Sequence, residues 1–250
     1  MKQTLAVVYG FATYLFFLVT FLYAIGFVGN LIVPKAIDSG AEPFTWPALI
    51  VDLVLLGIFA IQHSVMARPA FKRRWTQFVP WAVERTTFVL ASTLVLALLL
   101  WQWRPIEGVV WSVQDPTGIL VLQVLFFLGW AILLASTFMI DHFDLFGLRQ
   151  VVTYARGAPL KSPEFNTSWL YRYVRHPIML GFLIAFWAAP EMSAGHLLFS
   201  VATTGYILIG ILLEEHDLAA HFGERYRTYR KAVPMLIPLP GRGASSRTTE

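Results

Sequence analysis

The chain has 250 residues, of which 57% are hydrophobic and only 14% charged, against about 25% charged in an ordinary soluble domain. With a mean hydropathy of +0.62 it reads as an integral membrane protein of the lipid bilayer, and the absence of cysteine excludes disulfides, thiolate metal sites, iron–sulfur clusters and covalent cysteine catalysis. A pI near 9.4 alone would suit nucleic acid. The basic residues, however, sit in loops between apolar stretches, the habit of cytoplasmic loops in membrane proteins, so no nucleic-acid partner is expected.

A crossing needs about 20 apolar residues. Residues 5–28 qualify as the first span and are too long and too aromatic for a signal-peptide core. Residues 31–46, with Pro34, Lys35, Asp38, Glu42 and Pro43, read as a loop, and 48–65 as the second span. A basic loop follows from Arg68 to Arg74. Residues 86–103 form the third span, whose Trp101 and Trp103 suit an interfacial aromatic belt. After a short loop at 104–116 comes the fourth span, 118–140, then a long polar stretch at 141–175. Residues 178–189 and 197–213 pattern as a hairpin broken at 190–195, and its first arm is short enough to be tilted or partial. Residues 216–240 are amphipathic and end in prolines; 241–250 reads as a disordered tail. The expected fold is all-α: a polytopic transmembrane helix bundle of about six apolar segments, with a C-terminal helical hairpin and a cytoplasmic capping segment, in one domain over 1–240. Lys2, the 68–74 cluster, the 149–175 stretch and the tail carry most of the lysine and arginine, which places both termini in the cytoplasm.

Polar residues gather at the cytoplasmic ends of these spans. Gln62, His63 and Ser64 end the second and Glu84 and Arg85 begin the third. Asp141, His142 and Asp144 follow the fourth, while Arg175 and His176 open the hairpin and Glu214, Glu215, His216 and Asp217 close it. Ionisable groups at such positions usually pair or line a wet cavity, and helix ends add free backbone donors and acceptors. A compact bundle would bring them into one polar chamber. Arg68, Lys72, Arg73 and Arg74 read more simply as snorkelling anchors. Gly181 suits either close helix packing or close approach to a ligand.

The spacing Arg175-His176-Pro177-x-x-x-Gly181, a hairpin, Glu214-Glu215, then Phe222-Gly-Glu-Arg-Tyr226, Tyr229 and Val233-Pro-x-x-Ile-Pro238 resembles the membrane methyltransferase superfamily that includes isoprenylcysteine carboxyl methyltransferase and phospholipid methyltransferases. One departure is Met179, where many members carry tyrosine. The segments from Gln62 to Lys72, Glu84 to Thr87, Trp101 to Ile106 and Asp141 to Gln150 look like the bacterial methanethiol S-methyltransferase family. A related membrane family associated with nitrite and nitric-oxide metabolism shares part of the pattern.

The resemblance implies a bacterial inner-membrane enzyme with S-adenosylmethionine as donor, methanethiol as acceptor, dimethyl sulfide as product, no metal and no obligate protein partner. Without a Gly-x-Gly-x-x-Gly loop, the cofactor would be held by helices. Arg175 and Arg225 are candidates for its carboxylate, and His176, Tyr226 and Tyr229 for its adenosine or amino-acid tail. Gly181 is a possible close-approach point. Glu214 or Glu215 would hold ammonium or ribose, with one glutamate facing the ligand and the other pairing with arginine, because successive helical residues point about 100° apart. These acids should grip the cofactor's ends, since a carboxylate on the sulfonium would favour the ground state over the transition state. Alkyl thiols are less acidic than a Cys thiol of pKa about 8.5, so a general base is expected. His142, flanked by Asp141 and Asp144 that would orient it, is the first candidate; His63 and Tyr14 are the alternatives. Competing expectations are another substrate on the same scaffold, a haem carrier using His63, His142, His176 or His216, and a transporter, which the lack of repeats and of mid-span charge beyond Asp52 disfavours.

Overall fold

The computed structural model describes residues 2–159, 167 and 169–239; the expected tail at 241–250, Pro240 and part of the 141–175 polar stretch lie outside them. Five helices are long and apolar enough to cross a membrane: α1 (Lys2–Val28), α2 (Trp46–Ala67), α4 (Trp81–Gln102), α5 (Pro116–Ile140) and α9 (Ala194–Phe222). The shorter elements are α3 (Pro69–Trp75), α6 (His142–Leu145), α7 (Leu148–Ala155), α8 (Pro177–Trp187) and α10 (Glu224–Ala232), with two strands, β1 (Val109–Ser112) and β2 (Glu191–Ser193).

Local chemistry sets the boundaries. Thr45, Asp115 and Ser193 cap α2, α5 and α9 by accepting the amides of Ala48, Gly118 and His196. Proline follows in the first turn of α2 and α5, where its missing N–H costs nothing. Arg68 is extended because Pro69 follows it, so α2 stops there and α3 starts afresh. What the sequence shows as a basic loop is thus a short helix.

Two boundaries differ from the sequence pattern. The third crossing begins at Trp81 rather than Thr86, which puts Glu84 and Arg85 inside its first turns. The hairpin's second arm is one helix of 29 residues. Glu214 and Glu215 therefore lie within a continuous helix, not at a helix end, and free backbone groups are not available beside them. Polar residues late in a long helix carry no stop signal, and none is needed until Gly223, whose positive φ ends α9.

The first arm, α8, has only 11 residues, about 16 Å of helix, roughly half the hydrocarbon thickness. It packs most extensively against α5. A Cβ on Gly181 would stand 2.6 Å from the Gly129 carbonyl, and one on Gly129 would stand 2.7 Å from the Gly181 carbonyl. The two glycines thus bring the backbones of α5 and α8 together, as small residues do between membrane helices. An aromatic core of Phe27, Trp103, Phe126, Trp130, Phe186 and Phe199 fills the middle of the bundle. Trp103, expected in an interfacial belt, is fully buried and donates to the Ile37 carbonyl, whereas Trp101 is exposed; a tryptophan at a span's end turns inward when its indole N–H finds a buried acceptor.

At the end remote from the basic residues, contacts between loops tie the chain together. β1 pairs antiparallel with β2, Ser193 donates to Asp38, and Asn30 donates to the same carboxylate at 2.6 Å. Trp111 donates to the Ala189 carbonyl. Buried Asp52 accepts the Arg104 amide at 2.8 Å, which anchors the 104–116 loop to α2.

Candidate active site

Three polar groups stand at the basic end, each built from different elements. The first joins α1, α5 and α6. The His142 ring is buried, stacked on Phe138 at 4.2 Å between centroids, with Tyr14 Oη 2.8 Å from Nε2 and Thr137 Oγ1 2.8 Å from Nδ1. Thr137 gives its own proton to the Leu134 carbonyl, so its oxygen accepts from His142 Nδ1–H. That leaves Nε2 as the acceptor of the Tyr14 hydroxyl. Burial pushes the His142 imidazole below its ordinary value, which keeps it neutral at pH 7.

Asp141 and Asp144 do not orient this ring. Asp141 accepts the Asp144 amide, capping α6, and its other oxygen pairs with Arg149. The expected carboxylate support of His142 is replaced by Tyr14 and Thr137, residues 128 and 5 positions away. Gly147, with a positive φ and the Thr86 amide 2.7 Å from where a Cβ would stand, lets the α6–α7 turn press onto α4.

The second group joins the start of α8, the late part of α9 and the C-terminal segment. Glu215 Oε1 receives Arg175 Nε at 2.7 Å and His176 Nε2 at 3.0 Å, while Arg230 stands 3.9 Å from Oε2. Arg175 also donates from one terminal nitrogen to the Arg230 and Val233 carbonyls. The Arg175 and His176 amides bond to the Pro234 and Met235 carbonyls, so the chain after α10 is laced onto the start of α8. Burial alone would lower the His176 imidazole, but the Glu214 and Glu215 carboxylates outweigh it and raise the group. Tyr229 donates to the Tyr171 carbonyl at 2.6 Å, and Tyr226 is buried beside it. Burial holds both hydroxyls, and that of Tyr171, well above the ordinary phenol range, so they act as protonated groups.

The two glutamates divide. Glu215 is the buried partner of Arg175 and His176; the Glu214 side chain is 45% exposed and stands 3.6 Å from His176 Nδ1. Gly181 meets α5 backbone, and Arg225 is exposed on α10.

The third group joins α2 and α9 near the basic end. These helices meet through Phe59 against Tyr206 at 6.1 Å between ring centroids, through the Tyr206 hydroxyl with Ser64, and through Arg68 with Asp217 at 2.9 Å. Tyr206 and Asp217 are eleven residues apart, within about 20° around the helix and about 16 Å along it. Between them α9 turns Gly210 the same way, where an added Cβ would meet nothing within 4 Å. Opposite, on α2, stand Gln62, bonded to Ser92, and His63, stacked on Phe59. His63 thus packs between Phe59 and Phe88, apart from His142. Sequence reasoning missed Thr137, Tyr171 and Gly210, and did not connect Arg68 with Asp217; the one available signal was Asp217 lying one turn from Glu214.

The four histidines give no facing pair for a haem. His142 and His176 have both ring nitrogens against protein groups, His63 sits on α2, and His216 is exposed.

The NnrU protein family matches residues 51–232. Methanethiol S-methyltransferase of Mycobacterium tuberculosis (strain ATCC 25618 / H37Rv) is 55% identical over 242 residues, 97% of this chain and 99% of that protein. The chain belongs to the NnrU family, among the methanethiol S-methyltransferases. Methanethiol S-methyltransferase 1 of Bradyrhizobium diazoefficiens is 54% identical over 94% of the chain and 82% of its own length. Nurim of Danio rerio is more distant, 31% identical over 78% of the chain and 72% of its own length. No solved structure matches. The matched family region runs from α2 to the last helical residue of α10, so it holds the side chains of the second and third polar groups and His142 of the first; Tyr14 lies before it, and the 233–235 carbonyls after it.

Proposed function

We propose that this protein transfers a methyl group from S-adenosylmethionine to methanethiol, giving dimethyl sulfide and S-adenosylhomocysteine, in a bacterial inner membrane with its basic end in the cytoplasm. One observation carries this: the likeness to a methanethiol S-methyltransferase covers 97% of this chain and 99% of that protein. The residues fit the donor. Half-exposed Glu214 suits its ammonium. When bound, S-adenosylmethionine supplies a methyl group on a sulfonium, open to displacement by sulfur.

The protein's own part is proton removal and alignment. In this reading the thiol S–H gives its proton to the Tyr14 oxygen as the Tyr14 hydroxyl proton passes to His142 Nε2, which requires the donor's methyl group to reach the Tyr14 side of the bundle. The products are a thiolate and an imidazolium whose Nδ1–H remains on Thr137. Such base assistance contributes ~10²–10⁴-fold, and in-line holding of thiol and methyl up to ~7–11 kcal/mol in the best cases. The acids stay away from the reacting sulfur: Glu215 is occupied by Arg175 and His176, and Glu214 grips the tail.

The test is an assay of purified protein with S-adenosylmethionine and methanethiol, reading dimethyl sulfide in the headspace. Stoichiometric dimethyl sulfide, falling off with longer thiols, is the expected result. No product from methanethiol, together with turnover of a prenylated cysteine or a phospholipid headgroup, would transfer the scaffold to the other substrate class.

A further inference from the structure

Residues 68–80 connect two helices long enough to cross a membrane, α2 and α4. The connection carries four basic side chains and a backbone that leaves the helix twice, so it lies at the border of the bilayer and not within the hydrocarbon. Phe78 is 82% exposed and Trp81 45% exposed, as suits aromatic side chains set among lipid headgroups.

The charge of this connection is one-sided. Arg68, Lys72, Arg73 and Arg74 fall in a stretch that has no aspartate or glutamate between Asp52 and Glu84. Arg68 is engaged: one terminal nitrogen pairs with Asp217, and Nε donates to the Ser64 carbonyl. Lys72 is half-buried. Arg73 and Arg74 are exposed, and among the described residues their guanidinium groups form no ion pair and no hydrogen bond.

These two arginines share a face. Ala70, Arg73, Arg74 and Gln77 follow the i, i+3, i+4, i+7 spacing of one helical side, and all four are exposed. That side lines an open cleft of about 610 Å³, together with Val65, Arg68 and Phe71. The volume is that of a small-molecule site. Its walls are of two kinds. Val65, in the last turn of α2, Ala70 and Phe71 are apolar; Arg73 and Arg74 bring two unopposed positive charges. Basic residues in the last turn of a helix are favoured by its dipole, but the dipole asks only for charge and not for an apolar cleft beside it. An apolar wall next to two free cations, at the border of a bilayer, matches an amphiphile with an anionic head.

We propose that the corner between α2 and α3 binds one anionic phospholipid of the leaflet on the basic side, its phosphate held by Arg73 and Arg74 and an acyl chain laid against Val65 and Phe71. A guanidinium fork takes two phosphate oxygens at once, which a bare ammonium does not. A zwitterionic lipid fits less well, because its own cation competes with the arginines for the phosphate. The corner is then a specific lipid site in place of a set of separately snorkelling side chains. It stands independently of the methyl-transfer reading and shares only Arg68 with the three polar groups.

The test is native mass spectrometry of protein released from nanodiscs of equal parts phosphatidylglycerol and phosphatidylcholine with matched chains. Wild type should retain phosphatidylglycerol in preference. A basic residue near an anionic surface contributes ~5-fold, so Arg73→Gln and Arg74→Gln should each narrow the preference by about that factor, and the double variant by ~25-fold. A second double variant, Arg156→Gln with Lys231→Gln, removes the same charge from exposed positions elsewhere on the basic end and should keep the preference. Added phosphatidylglycerol should raise the melting point of wild type, as a ligand of the folded state does, and leave that of the Arg73 and Arg74 double variant unmoved. Level melting points in pure phosphatidylcholine report that the variants are folded. Equal retention of both lipids by wild type, or the same narrowing in both double variants, would overturn the site and return Arg73 and Arg74 to simple anchors.

Discussion

At the scale of single residues, the proposed proton path divides the polar side chains at the basic end into those that would act and those that only hold. If Tyr14 and His142 act in series, as proposed, His142→Ala and Tyr14→Phe should each lower turnover at neutral pH by ~10²–10⁴-fold. Affinity for S-adenosylmethionine should stay near wild type. Asp141→Asn should have little effect on rate, because Asp141 caps α6 and pairs with Arg149 instead of touching the ring. A rate loss for Asp141→Asn as large as that for His142→Ala would restore the carboxylate–imidazole pair that the sequence suggests. The pH profile follows from the same ring. Burial lowers His142 from its ordinary 6.5, and the base works only when neutral. Activity should therefore be flat at pH 7 and fall only as pH drops through a value below 6.5, read from turnover at saturating donor. Both members of this pair were visible in the sequence as alternatives. Their partnership was not, because 128 residues separate them and no local pattern records a contact made by the packing of α1 against α5 and α6.

At the scale of elements, two devices hold the C-terminal half together. One is the knot of Arg175, His176 and Glu215, which ties α8 to α9 and to the chain after α10. Removing one partner of a buried pair leaves the other charge uncompensated, at about 3–5 kcal/mol, so Glu215→Gln should lower the thermal midpoint substantially. The knot also gives stability a pH dependence. His176 is raised above its ordinary 6.5 despite burial. Its contribution is complete below pH 6.5 and is lost as pH rises through the raised folded-state value. Wild type should melt earlier on the alkaline side of that window, and Glu215→Gln should flatten the slope; identical slopes would remove His176 from the account. The other device is the contact of Gly129 with Gly181. Gly181→Ala drives a Cβ into backbone and should destabilise by about 1–3 kcal/mol. Gly210→Ala meets open space and should leave the melting point level or slightly higher, since alanine is the better helix former by about 1 kcal/mol. The sequence showed both glycines but could not separate them: one-dimensional spacing marks a small residue in a span without saying whether a backbone or a cavity faces it. It did mark Arg175, His176 and the paired glutamates as a unit, because ionisable groups at the margin of an apolar run are rare enough to stand out on their own.

For the whole molecule, the sequence carried the number of crossings and the sidedness of charge, since both follow from composition along the chain. It carried less of the opposite end, where a two-stranded sheet, Asp38 with Ser193, and Trp103 beneath Ile37 tie the loops together. Those contacts join loops far apart in the chain, and polar loops look alike until they fold. The placement of the polar groups bears on function. With all three at the basic end, the proposed charged donor would reach them from that side. An apolar thiol could instead enter sideways from lipid. This requires the basic end to face the cytoplasm, the side that makes the donor. The absence of native cysteine makes the sidedness directly measurable, because an introduced thiol is the only one present. Arg74→Cys, exposed on α3, should react with a membrane-impermeant maleimide only after the cells are opened. Gln114→Cys, in the loop between β1 and α5, should react in intact spheroplasts. Neither position touches the three polar groups, so both variants should retain dimethyl sulfide production as a check on folding. Labelling of Arg74→Cys from outside, with Gln114→Cys protected, would invert the molecule and place its three polar groups on the side away from the donor. The same pair of variants thus tests the topology and the route of supply together.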